Sequence, residues 1–305
     1  MPRWAPRGLR QLGQPTPASS PGGTFFPVSC RDSRGRPDSG EPRLHIRYGI
    51  QTNQGKTRNS NEDAYAASLT KKLFLVADGM GGHAAGEVAS QMAAATMEQL
   101  LEAPEGPDDD PEELLRSAAE GANARVYESQ LRNPELAGMG STLTALSICD
   151  RNYYVAHVGD SRAYLLRDGV LEQITRDHSL VWQLYENGVL RKDELSSHPQ
   201  KNLITRSIGP HPYIEVDVER GEARIGDAFL LCSDGLSDVV PDATIREVLS
   251  QTDTTPQRMC ERLVALANEA GGPDNITAVV VRLEAAQVDD PDDPDEGLTL
   301  RIEKP

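Results

Sequence analysis

Aromatic residues are scarce in this 305-residue chain, at 5%. Basic residues are outnumbered, with 31 Lys and Arg against 47 Asp and Glu and a formal net charge of −16. That surface excludes nucleic acid as the main partner, because a phosphate backbone is bound through Lys and Arg. Cysteine is nearly absent. Cys30, Cys149, Cys232 and Cys260 are widely spaced with no C-x-x-C pair, which excludes a zinc site and a disulfide framework and fits a reducing cytoplasm. No stretch approaches the ~18 apolar residues of a membrane span, so no membrane association is expected.

What is present is unevenly spread. Residues 1–43 hold seven basic and three acidic residues, are rich in Pro, Gly, Ser and Arg, and show no apolar period. They read as a disordered N-terminal extension. They lack the apolar core of a secretory signal, and their prolines spoil the amphipathic helix of an organelle transit peptide. A start codon assigned upstream of the true one would leave the same sequence. Residues 286–305 hold two basic and seven acidic residues and read as an acidic, disordered tail. The remainder, 44–285, is expected to be one domain.

Within it, Leu44–Ile50, Asp63–Leu69 and Lys72–Ala77 read as strands, the last buried on both faces. A helix is expected near Glu87–Leu101, with Val88, Met92, Ala95, Met97 and Leu100 toward the core. A second should run from Pro111 to Leu131, with Leu114, Ala118, Ala122 and Val126 as its stripe. From Ser141 the pattern is β, with turns at Asp150, Gly159-Asp160 and Asp168-Gly169. Residues 177–208 read as an irregular insertion holding a short helix at SLVWQLYEN. Strands at Tyr213–Glu219 and Asp227–Cys232, helices near Ala243–Ser250 and Pro256–Ala270, and a strand at Asn275–Leu283 complete the domain. Strands and helices are segregated, so an α+β layer architecture is expected rather than a doubly wound parallel sheet.

Three segments place an aspartate where an apolar strand meets a turn: Val76-Ala77-Asp78-Gly79-Met80-Gly81-Gly82, Cys232-Ser233-Asp234-Gly235-Leu236-Ser237-Asp238 and Gly271-Gly272-Pro273-Asp274-Asn275. Alone, each reads as an ordinary turn. Together they are harder to dismiss, since an acid at the end of an apolar strand costs stability unless it is paired or metal-bound. Carboxylates with a glycine carbonyl make an all-oxygen site suited to Mg²⁺ or Mn²⁺. A fourth segment, Arg58-Asn59-Ser60-Asn61-Glu62-Asp63, sets a permanent cation before a carboxylate, and Arg is suited to bidentate phosphate recognition.

With these segments in view, the chain resembles the metal-dependent protein phosphatases, the protein phosphatase 2C family, in its bacterial form. The resemblance lies in RNSNEDAY (58–65), LVADGMGGHAAGEVAS (75–90), GSTLTAL (140–146), AHVGDSRAYLLRDG (156–169), HPQKNLITRSIG (198–209), LLCSDGLSD (230–238) and GGPDNITAVVV (271–281), in the family's order across 44–285. It implies a four-layer α/β/β/α sandwich, two central antiparallel sheets flanked by helices. It implies two Mn²⁺ or Mg²⁺ ions, with Asp78 bridging them, the Gly79 carbonyl binding one, and Asp234 and Asp274 holding the other. Glu62 would hold metal-bound water, Arg58 the substrate phosphate, and Asp160 would help to hold a third ion. Residues 177–208 match the family's flap. Asp63 and Asp238 are expected to do local structural work.

The implied function is hydrolysis of phosphoserine and phosphothreonine on proteins by metal-activated water, without a phosphoenzyme, opposing a bacterial Ser/Thr kinase. The partners are then phosphoproteins and a cognate kinase, and the chain is expected to be monomeric. Met80 stands where animal members carry a candidate general-acid histidine; a metal-bound water is the expected substitute, and His83 otherwise reads as a surface histidine at a helix start. Two alternatives differ in class: a non-catalytic phosphoprotein-binding regulator on the same fold, whose mark would be loss of metal acids, and a specialised phosphatase for a small regulator such as an anti-anti-sigma factor.

Overall fold

In a computed structural model of the chain, residues 44–81, 85–101, 110–149 and 151–286 are described. The expectations for residues 1–43, His83, Asp150 and all but the first residue of the acidic tail lie outside them.

The strands are β1 (Leu44–Asn53), β2 (Asp63–Ser68), β3 (Leu73–Met80), β4 (Gly140–Ser141), β5 (Leu143–Cys149), β6 (Asn152–Val158), β7 (Arg162–Arg167), β8 (Val170–Gln173), β9 (Asp217–Glu222), β10 (Ala228–Cys232) and β11 (Ile276–Ala285). The helices are α1 (Ala85–Leu100), α2 (Pro111–Arg132), α3 (Leu180–Glu186), α4 (Asp234–Ser237), α5 (Asp242–Leu249) and α6 (Pro256–Glu269). One sheet runs β1-β11-β10-β7-β8; the other runs β2-β3-β5-β6-β9, with β4 added to β3. The strand pairings are all antiparallel.

Alternation inside the continuous apolar runs creates the layers, because successive side chains of a strand face opposite ways. On β3, Leu73, Leu75 and Ala77 pack with α1 and α2, whereas Phe74 and Val76 enter the space between the sheets. On β11, Val279 and Val281 face the other sheet while Ala278 and Val280 face α5 and α6. Three apolar cores therefore separate four layers, as the resemblance implied.

Helix α1 keeps part of its expected face: Met97 is buried and Val88 and Met92 pack against the core, whereas Ala95 is exposed and Leu100 is 42% exposed. Its buried line is Ala85, Ala89, Ala93 and Met97, and the small side chains at i, i+4 spacing let α1 lie close between the sheet and α2, so bulk was an incomplete guide to its inner face. In α2, Leu115 rather than Leu114 is the buried leucine, and Pro111 opens the helix behind Asp110, whose side chain accepts the Glu112 N–H at 3.0 Å. The strand expected at Tyr213–Glu219 begins only at Asp217. Tyr213 is 89% exposed, and β6 offers ladder partners to β9 no further than His157. The insertion carries α3, capped by Ser179, and a 3₁₀ turn at Lys192–Ser197.

Candidate active site

Three strand ends and two loops converge at one edge of the sandwich. Arg58, Glu62, Asp78, Gly79, Asp160, Asp234 and Asp274 all line one open cleft of about 850 Å³, closed on one side by residues 198–204 of the insertion.

Asp78 ends β3. Its N–H donates to Thr142 Oγ1 and its carbonyl accepts the Thr142 N–H, both at 2.8 Å, so its backbone is held on two sides. Its neighbour Gly79 comes against α1: a Cβ there would lie 2.2 Å from the Gly86 carbonyl oxygen, so only glycine permits this approach. Glu62 is fixed through its backbone, with N–H to Asn275 Oδ1 at 2.8 Å and carbonyl accepting from Gly79 N at 3.1 Å and Ser90 Oγ at 2.6 Å. Asp234 opens α4 directly after the buried strand β10. Asp274 precedes β11 and takes Arg58 Nη2 at 2.7 Å. Arg58 is half exposed, its guanidinium at the cleft mouth.

These acids are poorly compensated. Asp160 Oδ1, Asp234 Oδ1 and Asp63 Oδ1 are buried without a hydrogen-bond partner. Burial, and then the neighbouring carboxylates Asp63, Asp234, Asp160 and Asp274, raise the Asp78 carboxyl well above its ordinary range. Burial followed by Asp160 and Asp238 does the same to Asp234. Burial, Asp177 and Asp238 push Asp160 up to about 7. Glu62 is raised by burial, against the opposing pull of Arg58. Arg58 loses something to burial, but Asp274 more than restores it and its pKa is raised.

Among the described residues, no three His, Cys, Asp or Glu side chains already close into a metal cage. The donor set nevertheless fits hard divalent cations. Buried carboxylate oxygens that lack any partner, in a cluster whose members repel one another, are what a cation compensates.

Against this geometry stand the comparisons. Residues 51–275 match the family model described as protein phosphatase 2C. The chain belongs to that family. The serine/threonine protein phosphatase PstP of Mycobacterium tuberculosis is 43% identical over 237 residues, 78% of this chain and 45% of that one. The serine/threonine phosphatase stp of Listeria monocytogenes is 35% identical over 254 residues, 80% of this chain and 98% of that one. The catalytic domain of PstP in complex with two manganese ions superposes with a TM-score of 0.72 at 40% identity, covering 79% of this chain and all of that one. This chain thus spans about half the length of the mycobacterial relative and nearly all of the Listeria one.

The structure of this family member brings together every candidate residue named from the sequence. It also shows residues that motif reading passed over. Asn275 is buried, and its side-chain amide donates to Gln54 O at 2.9 Å and Ser60 O at 2.8 Å while its Oδ1 receives Glu62 N–H. It laces the Arg58 loop to the Asp274 turn; the Asp-Asn dipeptide was its only trace in the sequence. Lys201 reaches Asp238 Oδ2 at 2.6 Å and so ties the insertion to the β10–α4 corner. Asp63 accepts from Thr277 Oγ1 at 2.6 Å and Ser233 Oγ at 2.8 Å, contacts of a structural kind.

The described cysteines Cys149, Cys232 and Cys260 are buried and not in disulfides, and burial pushes the Cys232 and Cys260 thiols up to about 12. Such thiols are poor nucleophiles. Cys30, which stands six residues before Arg36, lies outside the described residues. No helix among the described residues is long and apolar enough to cross a membrane.

Proposed function

We propose that this chain is a metal-dependent serine/threonine protein phosphatase that hydrolyses phosphoserine and phosphothreonine esters on proteins, in the cytoplasm and against a Ser/Thr kinase. The observation that carries the reading is the convergence of Asp78, Asp160, Asp234 and Asp274 with Arg58 in one cleft, where an Oδ1 of Asp160 and of Asp234 is buried and unpaired. The family and the manganese-bound relative support it. The non-catalytic alternative is disfavoured because none of the expected metal acids is missing.

Asp78, the Gly79 carbonyl, Asp234 and Asp274 would hold two Mn²⁺ or Mg²⁺ ions, and Asp160 would take part in holding a third. Bound there, the ions would supply the charge that lowers the pKa of a water and polarises a phosphoryl group. Glu62, its backbone held by three elements, would orient water at the cleft floor. Arg58 can turn from Asp274 to the phosphate, where a planar guanidinium matches two oxygens and offsets charge developing on them. Met80 lines the cleft and carries no titratable proton, and a water would supply the proton to the leaving alkoxide in its place. Residues 44–285 would form the catalytic unit, with 177–208 as its flap.

Two results test this reading. Purified protein with Mn²⁺ should hydrolyse a phosphothreonine peptide, lose that activity in excess EDTA and regain it when Mn²⁺ is restored; activity that persists in EDTA refutes the metal chemistry. Arg58→Ala should raise KM for phosphate esters about tenfold or more, the scale of a lost charge-assisted contact. Its Mn²⁺ requirement should change little. An unchanged KM removes Arg58 from phosphate binding.

A further inference from the structure

His178 has no role in the site described above, yet it joins several elements at the root of the flap. It is buried, at 7% exposure. Its backbone N–H donates to the Gly159 carbonyl at 2.7 Å, and its ring Nδ1 accepts the Gly159 N–H at 3.1 Å. Both backbone groups of one residue are thus held by one histidine. Gly159 directly precedes Asp160, and it has little freedom of its own: its φ is +112°, and a Cβ there would meet Thr142 Cγ2 at 2.6 Å.

The same histidine grips the other end of the flap. Its carbonyl accepts the Thr205 N–H at 2.8 Å, and next to it Ser179 bridges Ile204. Outward, its Nε2 lies 3.1 Å from Asp217 Oδ2, and Arg206, 3.0 Å from Nε2, is bound to Asp217 Oδ1 at 2.6 Å. Inward, its ring packs on that of His157 with centroids 4.8 Å apart. His157 bridges Thr144 Oγ1 and the Arg176 carbonyl, each at 3.0 Å. Since Gly159 N–H can only donate, Nδ1 is the acceptor and Nε2 carries the proton toward Asp217.

We propose that His178 is a positioning residue that ties both roots of the flap to the turn carrying Asp160, so that flap and cleft floor hold one arrangement. The consequence for turnover rests on the phosphatase reading above; the mechanical coupling does not. Peptide-resolved amide hydrogen exchange on the full chain separates the two. His178→Gln leaves the Gly159 N–H without its acceptor, whereas the Oδ1 of His178→Asn can replace Nδ1. Exchange in segments 159–163 and 202–206 should rise together in the Gln variant, by about tenfold for one lost buried hydrogen bond, while β11 stays protected. Peptide phosphatase kcat should fall by a similar factor. The Asn variant should recover both.

Release of only one segment, or identical behaviour of the Asn and Gln variants, overturns the proposal. Coupled release with unchanged kcat overturns the positioning role while leaving the Arg58 and EDTA tests of the phosphatase reading untouched. If the Gln variant unfolds globally, β11 exchanges too. Asp217→Asn, which loosens the outer end of the ring together with the Arg206 contact, must then release both segments to a smaller degree, and failure to release 159–163, which Arg206 does not touch, overturns the proposal.

Discussion

Asp234→Asn is expected to lower turnover by at least about a hundredfold while making the metal-free protein more stable. The substitution keeps size and shape and removes one charge. On the proposed reading that charge would hold a cation. Without metal it is a liability: Asp234 Oδ1 is buried with no partner, and burial, then Asp160 and Asp238, raise its pKa well above the ordinary range. Neutralising it relieves desolvation and repulsion together, an effect on the order of 1–3 kcal/mol or several degrees in Tm. Calorimetry in EDTA beside a phosphopeptide assay in Mn²⁺ reads both signs. A variant that loses both activity and metal-free stability would show Asp234 to be a structural acid.

The second large effect is on the pH dependence of stability. In the folded chain Asp63 is raised to about 6 and Asp160 to about 7, and Asp78 and Asp234 are raised well above the ordinary aspartate value, in each case by burial first. An unfolded aspartate gives up its proton near pH 4. Between that value and the raised one the folded state binds more protons, so stability falls as pH rises. For Asp63 alone the loss is on the order of 3 kcal/mol.

Histidine opposes this at lower pH. Burial, then His178, lowers His157 to about 3, and burial lowers His178. Their contributions rise with pH and are complete only about one unit above the ordinary histidine value, near pH 7.5. The clean window therefore opens at about pH 7.5, where Asp160 is still losing its proton. In EDTA the urea midpoint should fall across this window; with Mn²⁺ most of the slope should vanish, because the cation compensates the same carboxylates. A flat profile in EDTA would mean that the acids are compensated within the protein.

Much of the site was legible because its chemistry sits at strand ends. Asp78 and Asp234 each follow a buried apolar run, so their position is local information: the strand stops, the turn begins, and the acid projects there. That Arg58, Glu62 and Asp274 come together was legible only through resemblance, since nothing within their own segments shows that a loop before β2 meets a turn before β11. The bonds that achieve it, through Asn275, join residues more than 210 positions apart. The inner face of α1 was read only in part, because Ala85, Ala89 and Ala93 share the contact with Met97. The strand expected at Tyr213 failed for want of a ladder partner on β6, which is a property of the neighbour and not of the segment.

The acidic balance of the chain shows the division most clearly. By itself the sequence determined that the chain is too acidic for nucleic acid, that the Lys72–Ala77 strand is buried on both faces, and that several aspartates follow apolar runs. Which acids share one cleft, which oxygens are left without partners, and that one histidine joins the flap to the Asp160 turn were decided only by tertiary structure. The reason is physical: burial and mutual repulsion act through space, so the cost of a carboxylate depends on neighbours brought from distant parts of the chain.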